Sequence, residues 1–172
     1  MIHLAIRGHD LSGEYTPKQL AQAVGAKKIK SVQFALNASF PDLSAPEKMN
    51  PGRGTFFKNE FQEQGVQIAL LSCYSNLIHP EPGEREKILQ KFERYLFHAR
   101  YFGASMVASE TGSVIAALGY SEENFSDEVF EDLIHVIQRL VRVGEKYQIM
   151  VGIEAGLNHP LYSNQRIARS EE

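Results

Sequence analysis

Apolar positions fall into five short runs, and the segments between them carry apolar residues at helical spacing. The first run, Ile2-His3-Leu4-Ala5-Ile6, reads as a strand in which His3 can point inward. After a polar loop, Thr16-Pro17-Lys18-Gln19 has the form of a helix start: Thr16 caps, Pro17 takes the first position, Gln19 completes a capping box, and Gly25 marks the end. In the second run Val32, Phe34 and Leu36 share one face and Gln33 takes the other, so this strand aims one polar residue into a barrel or cleft. Pro41, Pro46 and Pro51 break the next stretch, leaving residues 55–64 for a helix that Gly65 closes. The third run, 66–72, is almost wholly apolar, as befits a parallel strand covered on both faces. In residues 84–102, Ile88, Leu89, Phe92, Leu96, Ala99 and Phe102 line one helix face, with Gly103 as the stop. A second amphipathic helix starts near Asp127 and Glu128 and carries Phe130, Leu133, Ile134, Ile137, Leu140 and Val141.

The predicted strands lie near residues 2–7, 29–36, 66–72, 105–109 and 149–154, and each is followed by a helix or the start of one. That order predicts a single α/β domain over residues 1–172 with a parallel sheet. No Asn-Gly hairpin joins neighbouring runs, and the chain contains no low-complexity tract.

Composition narrows the function classes. The 172 residues carry a formal charge of −3, with Lys and Arg scattered among acids, which argues against a nucleic-acid or anionic-membrane surface and for a small-molecule partner. Cys73 is the single cysteine, so an intrachain disulfide and a cysteine-based zinc cluster are both excluded; its simplest role is that of a small buried residue. The apolar stretch at the N-terminus is too short for a signal peptide and no run reaches about eighteen apolar residues, so a cytoplasmic location is expected.

Polar and ionisable residues collect just past the C-terminal ends of the predicted strands, the edge at which parallel α/β folds hold ligands. Arg7, His9 and Asp10 follow the first strand, Asn37 and Ser39 the second, Tyr74, Asn76 and His79 the third, and Glu110 the fourth. Glu154 ends the fifth, with His159 shortly after. A carboxylate ending a buried strand calls for a cation or a hydrogen-bond cluster, so Glu154 is either a metal-binding or catalytic group or half of a structural ion pair with a cation such as Arg7. Glu110 can take a substrate hydroxyl or brace its loop. Tyr74, Asn76 and His79 together can supply donors and a neutral imidazole to a polyol. His98 and His135 fall within helices and read as surface or packing residues.

Four segments resemble the sugar phosphate isomerase/epimerase proteins of the xylose isomerase-like barrel group: residues 4–10, Cys73 to Pro80, Ser109 to Ser113, and Gly152 to Gly156 with His159-Pro160. The resemblance implies a parallel (β/α)₈ barrel of the TIM type. It also implies a divalent metal ion (Mn, Mg or Zn) held by a glutamate at strand five, matched by Glu154, together with Asp, His and Glu from later strands. The implied reaction moves a proton next to a carbonyl, with Glu154 as catalytic residue and metal ligand. Arg7, Asp10, Gln33, Tyr74, Asn76, His79, Glu110 and His159 are the positions expected to bind a sugar or sugar phosphate.

A barrel of this type takes about 250 residues and eight strands, so the resemblance implies one truncated after about five strands. The metal site is then incomplete, and the first and last strands offer edges for self-association. The alternative is a non-catalytic barrel that binds a ligand or partner. An endonuclease-like phosphodiesterase is disfavoured, because Glu110 stands where related endonucleases carry a histidine.

Overall fold

The computed structural model describes residues 4–170; Ile2 and the inward-pointing His3 expected from the sequence lie outside the described residues. Five parallel strands, β1 (Ala5–Arg7), β2 (Ser31–Ala35), β3 (Gln67–Ser72), β4 (Met106–Glu110) and β5 (Met150–Glu154), form one sheet in the order β1-β2-β3-β4-β5. Helices alternate with them: α1 (Pro17–Ala26), a single turn α2 (Leu36–Ser39), α3 (Pro51–Glu63), α4 (Pro82–Phe102), α5 (Asp127–Tyr147) and α6 (Asn164–Ser170). This is the arrangement of a TIM-type barrel, and the sheet does not close on itself.

Local chemistry accounts for most element ends. Thr16 and Gln19 form the full capping box that starts α1. Gly103, at φ 76°, ends α4 in the left-handed conformation that glycine adopts without a Cβ penalty. Two expected boundaries move. α3 begins at Pro51, not at residue 55, because Asn50 caps it and proline has no N–H to lose at a first helical position. α1 runs through Gly25, whose role is close packing: a Cβ there would sit 3.0 Å from Gln64 Cβ.

The main core lies between the sheet and the helices on its outer side. Phe34 of β2 is fully buried against Phe40, Phe57, Phe61 and Phe102, with ring centroids 5.0–6.5 Å away. A second cluster joins Phe130, Leu133 and Ile137 of α5 to Ile78 and Leu161 in the loops after β3 and β5. Arg85 to Asp132, and Arg139 to Glu86 and Glu93, clasp α4 to α5.

Residues opposite one another in a parallel pair share a face. Register therefore places Ala5, Arg7, Ser31, Gln33, Ala35, Leu70, Ser72, Met106, Ala108, Glu110, Met150, Gly152 and Glu154 on the inner face, opposite the helices. Most are small. Gly152 has to be, since a Cβ there would lie 2.8 Å from Met106 Sδ and 3.1 Å from Ala108 Cβ. The larger polar members, Arg7, Gln33, Glu110 and Glu154, stand at or near the C-terminal ends of their strands.

Candidate functional site at the strand ends

Gln33 ties the site together. A register shift between Val32 and Gln33 sets it opposite Leu70, and its amide nitrogen donates to Ser72 Oγ at 3.0 Å, Tyr74 Oη at 2.8 Å and Glu154 Oε1 at 3.1 Å. Three strands and the loop after β3 thus meet at one amide nitrogen. Glu110 stands directly across from Glu154 in the β4–β5 register. Burial and then the charge of Glu110 push the Glu154 carboxyl above its ordinary pKa; Arg7 and hydrogen bonds from Gln33 and Tyr74 pull it down by less. A carboxyl raised in this way holds a proton more readily than an ordinary glutamate, the direction that acid–base work needs.

The ion pair between Glu154 and Arg7 expected as the structural alternative does not form: the guanidinium pairs with Asp10, Nε to Oδ2 at 3.5 Å, and donates to His9 Nε2 at 2.8 Å. Arg7 and Asp10 are exposed, and Arg7 acts on Glu154 only through its charge. His9 meets the Tyr74 ring edge-on at 5.6 Å, which links the loop after β1 to the same cluster. His159 Nδ1 shares a hydrogen bond with Thr111 Oγ1 at 3.1 Å, fastening the loop after β5 to the residue following Glu110.

Two other residues expected at the site are turned elsewhere. Asn76 is buried beneath the loop after β4: its Nδ2 donates to the carbonyls of Ser113 and Ile115, and its Oδ1 accepts from Ser113 N. Ser113 Oγ and Asn124 extend this network to Gly119, Val114 and Asn158. His79 lies at the start of α4, where its Nδ1 accepts from Glu81 N and its carbonyl from Arg85. Ser72, fully buried beside Gln33, is the member that sequence reasoning missed: inside an apolar run it carries no signal of its own.

Gly112 shows how tightly that network is built. At φ 98°, a Cβ on it would overlap Asn76 Oδ1 and lie 2.9 Å from Leu77 N. Gly112→Ala is expected to lower stability by roughly 2–3 kcal/mol, combining the positive-φ penalty with overpacking. Urea denaturation measures this, and an unchanged midpoint would show that the loop yields.

The donor set bears on metal binding. Glu154 and Glu110 present hard oxygen donors side by side, suited to a divalent cation. Among the described residues, however, no group of three or more His, Cys, Asp or Glu side chains could hold a metal ion. The residues present fit part of a divalent site, not a whole one.

The family model described as xylose isomerase-like TIM barrel matches residues 55–170. No curated protein sequence matches the chain. Among solved structures, the probable 3-DHS dehydratase of petrobactin synthesis from Bacillus anthracis superposes with a TM-score of 0.74 at 12% identity, over 98% of this chain and 58% of that one. A xylose isomerase-like TIM barrel protein from Mycobacterium smegmatis in complex with magnesium gives 0.68 at 14% identity, over 98% and 60%. D-psicose 3-epimerase in the presence of D-fructose gives 0.63 at 12% identity, over 90% and 52%. The chain spans about half to three fifths of the length of these structures, and at such identities the likeness carries the fold. Among the described residues no helix is long and apolar enough to cross a membrane.

Proposed function

Because this chain belongs to the xylose isomerase-like TIM barrel family, we propose that it is a sugar isomerase or epimerase scaffold, one domain over residues 1–172, in which Glu154 moves a proton next to a substrate carbonyl. The observation that carries this reading is the half-buried Glu154 carboxyl, raised in pKa beside Glu110 and held by Gln33. Gln33 and Tyr74 orient the carboxyl, and Glu110 opposes its ionisation. Arg7 and His159, at the rim, are placed to meet substrate oxygens. A bound divalent cation, Mg, Mn or Zn, would be held by Glu154 with Glu110 beside it and would polarise the sugar carbonyl.

Solvent-deuterium incorporation into a panel of ketoses and aldoses, with divalent metal supplied, tests the reading. Incorporation by the wild-type chain and its loss in Glu154→Gln supports it; no incorporation from any sugar overturns it. Ligand binding without turnover is the second reading, favoured by the open sheet, and binding with no exchange in the same assay would establish it.

Among the described residues β1 and β5 each pair on one side only, and Met150 on β5 is 55% exposed. Unpaired strand edges of this kind template association. Sedimentation velocity is expected to show dimers or larger species growing with concentration; a monomer throughout would remove the edges as an interface.

A further inference from the structure

Successive residues of a strand turn their backbone N–H and C=O groups to opposite sides. Met150 N donates to Ser105 O, towards β4, so Val151 and Ile153 turn theirs to the open side, where no strand meets them among the described residues. Beside this edge, on the face that carries the helices, lie depressions of about 270 and 410 Å³ whose apolar lining includes Val141, Val151, Ile153 and Ile167. β1 is the other edge, but its paired segment is three residues long and ends at Arg7, with Asp10 beyond, both exposed. Short, charged edges of that kind resist pairing.

The open groups of β5 complement themselves. In an antiparallel pair, residues directly opposite exchange both hydrogen bonds at alternate positions. A two-fold axis through Gly152 sets Val151 of each copy opposite Ile153 of the other, so every open N–H and C=O of these residues finds a partner. Other registers lose part of this. An axis through Val151 would call on the Ile149 N–H, which is already bonded to Gly144 O, and an axis through Ile153 runs past the strand end to Ala155. Glycine at the axis lets the two backbones approach with no side chains between them.

On the inner face the same register sets Met150 of one copy opposite Glu154 of the other, with Cβ atoms about 4.5–5.5 Å apart. The exposed Met150 side chain thereby covers a half-buried carboxylate, and the two carboxylates stay at opposite ends of the ladder, so no like charges meet.

We propose that β5 pairs with β5 of a second copy, antiparallel about Gly152, in a closed two-fold dimer in which each copy lends Met150 to the other's Glu154 site. The assignment rests on the edge association described above and fixes its geometry.

Sedimentation velocity of the full chain is expected to show dimers and nothing larger. Oxidative cross-linking tests the register. The double variant Met150→Cys/Glu154→Cys is expected to form covalent dimers, and neither single variant should, because each position lies about 13 Å from its own counterpart across the axis. Cys73 is fully buried and stays out of the reaction. Val151→Pro removes an N–H that only the partner uses, and should weaken the dimer about 10- to 100-fold; the cross-linking result does not depend on this variant. Cross-links from either single variant, or a Val151→Pro dimer as tight as wild type, would overturn the pairing. Species beyond the dimer would overturn it too, while leaving edge association through β1, and a monomer at every concentration would remove both. Covalent dimers from the double variant, with no deuterium exchange by the wild-type chain from any sugar, would keep the dimer and remove the catalytic reading.

Discussion

Glu154→Gln is expected to abolish function and raise stability together. Removing a positioned acid–base group lowers exchange by about 10²–10⁴-fold. In metal-free buffer, however, the same change relieves a burdened site: burial and Glu110 both disfavour the ionised carboxylate, so the folded pKa of Glu154 stands above its unfolded value. The native state then binds more protons than the unfolded one, and wild-type stability falls as pH rises through the interval between the two values. Glutamine carries no charge at any pH and keeps an oxygen for Gln33 to reach. The variant should therefore melt higher than wild type at pH 7, with a gap that closes as pH falls towards about 4, where the unfolded carboxyl protonates. Added divalent cation should raise the wild-type melting temperature and leave the variant's unchanged. A variant that melts lower at pH 7 would make Glu154 a structural residue.

Phe34→Ala should produce the largest loss of stability. The ring is fully buried among four other phenylalanines supplied by α3, by α4 and by the turn after β2, so truncation opens a void that three separate elements would have to move to fill. Such changes cost about 3–5 kcal/mol, equivalent to a fall of about 6–20 °C in melting temperature for a chain of this length. Phe34→Leu keeps much of the volume and should lose less than half as much. Equal melting temperatures for Phe34→Ala and wild type would mean that the β2–α3–α4 core is not packed as described. Because Phe34 and Gln33 are neighbours on opposite faces of β2, loss of this packing should also disturb the hydrogen bond to Glu154.

These two residues show what can be read along a chain and what cannot. The alternation of Val32, Phe34 and Leu36 around Gln33 predicts which side chains enter the core and which one faces the cleft, because a strand offers only two faces. The same logic locates all five strands and the long helices α4 and α5, and it puts Glu154 at a strand end. It cannot say that Pro51 begins a helix, since proline stops a helix at most positions and starts one at the first. Nor does it separate Gln33, which reaches Glu154, from Asn76, which braces the loop after β4. Both are amides at or beyond a strand end, and their roles diverge only through partners distant in sequence, Glu154 for one and Ser113 for the other.

The sheet order has a consequence for how the molecule comes into being. Every strand pairs only with its immediate predecessor and successor, Ala5 with Ser31 at one end and Met106 with Met150 at the other. Each new strand closes a loop of only one helical crossover, which keeps contact order low for a parallel sheet. During synthesis the sheet can therefore grow by one strand at a time as the chain leaves the ribosome, each completed unit serving as the template for the next. Glu110 and then Glu154 emerge only after Gln33 and Tyr74, onto a platform that already holds both.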